Sequence, residues 1–335
     1  MKITATISAL IAGFFLVLSS QTMASDYSNA TFLDKSARFH PVISQLGMVV
    51  SQEAMASQVG ADILEAGGNA IDAAVATGFA LAVTLPRAGN LGGGGFMLVY
   101  LAEENKTIAI DYREMAPMAA KKDMFLDQQG NVDNEKARYS AQSSGVPGTV
   151  AGLIHALEKY GSMSLKEVLK PAIKLASQGF QVNYDLSDSL RLASKRLHKH
   201  PASKKYFYKQ QGGYYLPSDL LIQSDLGSTL KRIAEQGDSG FYKGQTAKLI
   251  VQQMQRSGGL ITLDDLANYQ VIERQPVCGS YKQHSLCAMP PPSSGGIHLI
   301  QMLNILENFE LSKMGHNSAT YIHHLVEAMR SAYAD

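Results

Sequence analysis

Residues 67–100 read GGNAIDAAVATGFALAVTLPRAGNLGGGGFMLVY. Gly67 and Gly68 stop one helix, and Asn69 offers a side-chain cap to the next. Ile71 to Leu85 is rich in Ala, Val and Leu with almost no charge. A helix built from it must be buried on most of its faces. Pro86 ends it. The glycine-rich loop Arg87 to Gly95 then leads into a strand at Phe96–Tyr100. After the polar turn Glu103-Glu104-Asn105, Thr107–Tyr112 is the return strand of a hairpin. An apolar helix feeding a hairpin predicts helices layered on a sheet, an α/β (α+β layered) fold.

Upstream, Gly47–Val50 reads as a short strand. Gln52–Ala66 reads as a helix with Ser51 as its N-cap. Downstream, residues 121–144 are polar and read as surface loop. Gly145-Val146-Pro147-Gly148 turns the chain into a helix at Thr149–Tyr160. Ser164-Leu165-Lys166-Glu167 is a capping box opening a helix to about Ser177, with Pro171 inside it as a place for a kink. Further helices are expected near 185–198, 223–236 and 245–257, so a largely helical section covers about 149–257. Strand signals return around 270–289. Met289 to Gly296 breaks the chain before amphipathic helices at Ile297–Phe309 and Ala319–Ala334. The sequence stops at Tyr333-Ala334-Asp335 inside that last pattern, which reads as a piece of a longer chain.

The composition is that of an ordinary globular protein, 45% hydrophobic and 18% charged, which argues against disorder. A formal net charge of +1 removes the electrostatic case for a nucleic-acid partner or a polybasic membrane-surface protein. At 335 residues the chain allows two domains or one large one. Residues 1–24 carry Lys2, an apolar run from Ile7 to Leu18, and Thr22-Met23-Ala24 as a small-x-Ala site. This reads as a secretory signal peptide cut after Ala24, against the alternative of an uncleaved anchor. The expected mature protein is therefore periplasmic or secreted, with no membrane association once the signal is removed. Two cysteines exclude a disulfide-dense scaffold and a four-Cys zinc site. Cys278 and Cys287 flank the turn-like GSYKQHSL. An oxidising compartment permits a bridge between them, and two unpaired small hydrophobes fit the sequence as well.

No self-sufficient catalytic set is visible. The four glycines Gly92–Gly95 lack the Gly-Lys-Ser/Thr and G-x-G-x-x-G contexts of phosphate loops and precede a strand, which favours a structural role. Arg113 closes the return strand. Its planar fork suits a carboxylate, and a surface pair with Asp111 or Glu114 would satisfy it equally. His323, His324 and Glu327 share a helix without His-Glu-x-x-His spacing, so no metal site is read there. G-x-S-x-G is absent. The basic cluster between Arg191 and Lys209 reads as a solvated face.

Six ordered runs carry a resemblance. They are Gly67-Gly68-Asn69-Ala70-Ile71-Asp72-Ala73-Ala74-Val75-Ala76, Gly89 to Met97, Asp111-Tyr112-Arg113-Glu114-Met115-Ala116-Pro117, Gly145 to Gly152, Met289 to Gly296, and Tyr333-Ala334-Asp335. In these, from about residue 40 onward, the sequence resembles the γ-glutamyltranspeptidase family (γ-glutamyltransferase, glutathione hydrolase). The resemblance implies an N-terminal-nucleophile hydrolase domain, an αββα sandwich made by a precursor that cuts itself into large and small subunits. It implies a Thr nucleophile at the start of the small subunit, activated by its own α-amino group. It implies glutathione or another γ-glutamyl compound as donor, and water, an amino acid or a peptide as acceptor. No metal or organic cofactor is implied. Arg113 matches the Arg that binds the donor α-carboxylate.

The family's Thr-Thr-His processing run is absent from these residues. The expectation is that residues 25–335 are part of the large subunit, incomplete as a sandwich. No catalytic nucleophile is expected in this chain; it would lie beyond Asp335 on the small subunit, without which the chain is inactive and folds poorly. The competing readings are a truncated non-catalytic homologue that binds a partner chain or γ-glutamyl compounds, and a related acylase acting on glutaryl-type amides.

Overall fold

A computed structural model describes residues 42–335; the expected signal peptide lies outside the described residues. Helix α1 (Ala54–Glu65) ends at the glycine pair, and α2 (Ala70–Thr84) follows. Asn69 caps α2 as its side chain demands, accepting from the Ile71 and Asp72 N–H groups. Ten of the fifteen α2 residues are buried, Val75, Phe79 and Val83 completely. Its low charge thus reflects apolar contact on nearly all sides, and α1 packs along it.

The entry to α1 differs from the sequence reading. Residues Gly47–Val50 are extended but pair with no described strand. Val49 turns inward against Gly60 while Met48 and Val50 are exposed, so one apolar side chain anchors the segment. The cap of α1 is Glu53, whose carboxylate accepts the Ala56 N–H at 2.9 Å. Ser51 instead supports Glu53, its hydroxyl donating to the Glu53 carbonyl at 2.8 Å.

Strands β1 (Gly95–Leu101) and β2 (Lys106–Tyr112) form the expected antiparallel hairpin, with Phe96 opposite Asp111 and Val99 opposite Ile108. The segment expected as loop contains a short helix, α3 (Asn134–Tyr139), because Asp133 caps it through the Lys136 N–H. The helical section follows as α4 (Thr149–Tyr160) and α5 (Leu165–Gln178), the latter opened by the Ser164–Glu167 capping box and continuous across Pro171. A two-residue strand β3 (Phe180–Gln181) precedes α6 (Tyr184–Leu197) and α7 (Pro201–Phe207). Strand β4 (Leu220–Leu221) pairs with β3 and leads to α8 (Ser224–Gln236), α9 (Ser239–Tyr242), α10 (Gly244–Ser257) and α11 (Leu263–Ala267). α7 opens on a proline suited to a first helical position, and α11 on a Thr262–Asp265 capping box; both are too short to show periodicity.

Strand β5 (Ile272–Arg274) returns to the first sheet, giving the antiparallel order β1-β2-β5. Its position makes β2 the central strand, and Ile108, Ala109, Ile110 and Asp111 are all buried. A separate hairpin, β6 (Val277–Tyr281) and β7 (His284–Ala288), places Cys278 opposite Cys287, and the two are disulfide-bonded. Helix α12 (Gly295–Leu306) packs on that hairpin, and α13 (Ala319–Ala334) packs on α12. The molecule is a mixed α+β structure with its main core around α2, α4, α5 and the inner face of the first sheet.

Two carboxylates pin this frame. Asp72, fully buried, accepts from the Asn69 N–H at 2.7 Å, the Ser162 hydroxyl at 2.6 Å, and the Ser162 and Met163 N–H groups at 2.9 and 3.1 Å. It joins the start of α2 to the loop after α4. Burial alone would raise its pKa, but the Ser162 hydroxyl and the three N–H groups outweigh burial and lower it. Glu273 on β5 reaches α4, taking Lys159 at 2.6 Å, the Tyr160 hydroxyl at 2.8 Å and the His155 ring at 2.9 Å. Burial again opposes ionisation there, and the three partners hold the carboxyl down at about 2.

Asp72→Asn sets an amide NH2 among donors and should cost about 2–3 kcal/mol, read from denaturant unfolding. A carboxyl at about 2 in the folded chain that returns to 4.5 on unfolding favours the folded state above pH 4.5. That contribution fades as pH falls towards 2. The Glu273 side chain is 27% exposed and its residue lies at the surface, so screening reduces it to about 1–2 kcal/mol. Glu273→Gln should therefore flatten the stability loss between pH 4.5 and 2 by that amount. Parallel pH profiles of wild type and variant in thermal melts would contradict this.

Candidate functional site

Arg113 is the first residue beyond β2, and the surroundings of its main chain are unusually constrained. Gly94 lies against it: a Cβ there would stand 2.5 Å from the Tyr112 carbonyl and 2.7 Å from the Glu114 nitrogen. At Gly148 a Cβ would overlap the Tyr112 carbonyl and the Tyr269 hydroxyl. Only glycine permits both approaches. The segment after Arg113 is bridged to the GVPG turn by reciprocal Met115–Val146 hydrogen bonds of 3.2 and 2.7 Å.

The Gly93 carbonyl accepts the Gly148 and Thr149 N–H groups at 2.8 and 3.0 Å, at the N-terminus of α4. Donors that could have cradled a phosphate are thereby occupied by backbone, in line with a structural role for the loop. The glycine-rich loop, the GVPG turn and the end of β2 form one packed junction.

The side chains around Arg113 have distinct partners. Asp111 is 6% exposed, and its Oδ2 accepts from Arg274 Nε at 2.8 Å. Its Oδ1 accepts from the Arg113 backbone N–H at 3.0 Å. The Arg113 guanidinium donates instead to the Pro292 carbonyl, Nη1 to O at 3.3 Å. Among the described residues it has no carboxylate within ion-pair distance, so neither Asp111 nor Glu114 neutralises it. Arg113 is exposed and borders two cavities. One, of about 290 Å³, is also lined by Asp111, Tyr269, Ile272, Arg274 and Pro292. The other, of about 560 Å³, adjoins Asn90, Gly92, Gly93, Phe125 and Ser144. An unpaired guanidinium at the edge of concave space is equipped to take a carboxylate bidentately.

Two tyrosines complete the junction. The Tyr269 hydroxyl donates to the Arg113 carbonyl at 2.8 Å. Its ring lies parallel to that of Tyr242, centroids 5.8 Å apart at 8°. The Tyr242 hydroxyl donates to the Pro147 carbonyl at 2.9 Å and accepts the Ala151 N–H at 3.2 Å. Burial, then the nearby Asp111 and Glu114 carboxylates, push the Tyr269 hydroxyl above its ordinary range, so it stays protonated and able to donate. Burial pushes Tyr112 up to about 12.

Sequence reasoning singled out Arg113 and missed Tyr269, Tyr242 and Arg274. Tyr269 lies 156 residues from Arg113, and Arg274 lies 163 residues from Asp111, so no local spacing could connect them. The histidine-bearing helix is otherwise engaged: Glu327 pairs with Arg330 at 2.9 Å and His324 with the Thr320 carbonyl. Among the described residues no group of three or more His, Cys, Asp or Glu could hold a metal ion. No helix among them is long and apolar enough to cross a membrane.

Comparison with known proteins gives the family. The Gamma-glutamyltranspeptidase family model matches residues 56–335. The chain is 54% identical over 298 residues to the glutathione hydrolase proenzyme of Escherichia coli (strain K12), covering 89% of this chain and 51% of that protein. It is 39% identical over 302 residues to the acylase ACY 1 proenzyme of Pseudomonas sp. (strain V22), covering 88% of this chain and 54% of that one. The crystal structure of Helicobacter pylori γ-glutamyltranspeptidase superposes with a TM-score of 0.86 at 48% identity, covering 88% of this chain and 84% of that one. The chain spans about half the length of the curated relatives it matches. With the family model covering most of its length, and with the Arg113 junction built from the runs that carry the likeness, this chain belongs to the γ-glutamyltranspeptidase family, whose fold is that of the N-terminal-nucleophile hydrolases.

Proposed function

We propose that this chain is the donor-binding, large-subunit part of an enzyme that moves the γ-glutamyl group of glutathione, or of a similar γ-glutamyl compound, to water or to an amino acid or peptide. The observation that carries the reading is the Arg113 guanidinium, free of any carboxylate among the described residues while Asp111 beside it is engaged by Arg274. A donor linked through its γ-carboxyl keeps its α-carboxylate for that guanidinium, and a normal α-peptide does not. This selects the γ-linkage.

In the proposed reaction a Thr hydroxyl attacks the γ-carbonyl and passes its proton to the α-amino group of the same Thr. The amide C–N bond breaks, the leaving peptide amine takes the proton, and a γ-glutamyl ester remains. Water or an acceptor amine then attacks that ester and regenerates the Thr. The nucleophile is assigned to a small subunit from the same self-cleaving precursor, because residues 1–335 hold no Thr-Thr-His run and the proenzyme relatives are about twice as long. We place the protein in the periplasm or outside the cell, on the signal-like residues 1–24. The purified 335-residue chain should give no γ-glutamyl-p-nitroanilide turnover, and measurable turnover would overturn the assignment of the nucleophile elsewhere.

The likeness to an acylase proenzyme favours a second reading, a glutaryl-type amide as substrate. Such a substrate has no α-carboxylate. In the complete two-subunit enzyme, Arg113→Ala should therefore raise KM for glutathione by about 30- to 150-fold, the equivalent of about 2–3 kcal/mol. It should leave KM for a glutaryl amide nearly constant. Steady-state kinetics with both substrates separate the readings: an unchanged KM for glutathione removes Arg113 from the donor site.

A further inference from the structure

We infer that Tyr269 is a positioning residue for donor binding, one that sets the reach of Arg113 without touching the substrate carboxylate itself; the inference rests on the donor-binding role proposed for Arg113. Three observations carry it. The Tyr269 hydroxyl donates to the Arg113 carbonyl at 2.8 Å, so it restrains the main chain at the residue whose side chain must reach the donor. That hydroxyl also fills the space a Cβ would need at Gly148, which wedges it between the GVPG turn and the end of β2. The ring, in turn, is fixed from behind by its parallel stack on Tyr242, itself hydrogen-bonded to Pro147 and Ala151 at the start of α4.

Arg113 lies past the last ladder pair of β2, Gly95 opposite Tyr112, so strand pairing no longer holds its backbone. Its N–H is taken by Asp111 and its carbonyl by Tyr269, and these two bonds replace the missing ladder. A guanidinium on a long side chain can satisfy a bidentate carboxylate only where its root is fixed. Loss of one of two backbone restraints therefore costs donor affinity while leaving the Thr chemistry intact. Tyr269 also borders the cavity of about 290 Å³ beside Arg113, which places the restraint at the site and not behind the core.

The test is a double-variant cycle in the complete two-subunit enzyme. Tyr269→Phe keeps the ring and its stack and removes only the hydroxyl. KM for glutathione should rise about threefold to tenfold, the usual worth of one such bond, with kcat nearly constant. In the Arg113→Ala background the same change should have no further effect on KM, because the residue acts through Arg113. Equal effects of Tyr269→Phe in both backgrounds, or a loss confined to kcat, would overturn the inference. If Arg113→Ala alone leaves KM for glutathione unchanged, the donor-site reading fails first. If Arg113→Ala raises KM and Tyr269→Phe does not, only the positioning role fails. Should Tyr269→Phe lower the yield of folded enzyme, Tyr242→Phe provides the second reading: it cuts the anchor to Pro147 and Ala151 and should shift KM in the same direction, again only when Arg113 is present.

Discussion

The Asp111–Arg274 ion pair is the constraint on which the rest of the site depends. Asp111 lies on the central strand of the first sheet, and Arg274 on its short neighbour β5, opposite Ala109. The pair is thus a diagonal cross-strand contact that ties a three-residue strand to the sheet. A buried carboxylate left alone would be strongly destabilising, and Arg274 supplies the counter-charge. The same pairing decides what Arg113 can do. With Asp111 claimed from one side by Arg274 and from the other by the Arg113 backbone N–H, the nearest buried acid is unavailable to the Arg113 side chain.

Around that pair the chain is arranged to bring distant segments onto a few atoms. The glycine loop, the end of β2, the GVPG turn and the Tyr242–Tyr269 stack meet within hydrogen-bond or van der Waals distance of Tyr112 and Arg113. Glycines at 94 and 148 matter because they remove the atoms that would hold these backbones apart. The apolar helix α2 supplies the floor, and Asp72 and Glu273 tie α2, α4 and β5 to one another at the edges. Asp72 is buried and Glu273 partly desolvated, and in each the hydrogen-bond partners outweigh that cost and lower the pKa.

Much of the frame was legible because it rests on local rules. Asn69, Ser164 and the glycine pair mark helix ends through capping chemistry that acts within three residues. The β1–β2 hairpin follows from two short apolar runs either side of a polar turn. What could not be read divides into two kinds. Short helices such as α3, α7 and α11 carry too few residues for a period, and the Thr262–Asp265 capping box of α11 went unread. The Gly47–Val50 segment fails as a strand because strand character needs a partner, and β propensity alone supplies none. At the site, the residue type and place of Arg113 were visible, but its two readings, carboxylate fork or surface ion pair, were separable only once Arg274 was seen on Asp111. Arg274 and Tyr269 carry no motif of their own and act through pairings across more than 150 residues.

That long-range wiring bears on how selectivity is held. An arginine paired to a neighbouring acid would have to surrender that partner to every incoming carboxylate, and the exchange of one ion pair for another yields little net affinity. Here the competitor is already satisfied elsewhere, and among the described residues the only protein acceptor at the Arg113 guanidinium is the neutral Pro292 carbonyl at 3.3 Å. Replacing a long hydrogen bond to a neutral oxygen by a bidentate bond to an anion is favourable on both charge and geometry. The Met289–Gly296 run then does more than break the chain before α12: it sets the Pro292 carbonyl against the Arg113 guanidinium without neutralising it. Arg274 on Asp111 and Pro292 at the guanidinium together leave the Arg113 charge without a carboxylate partner among the described residues.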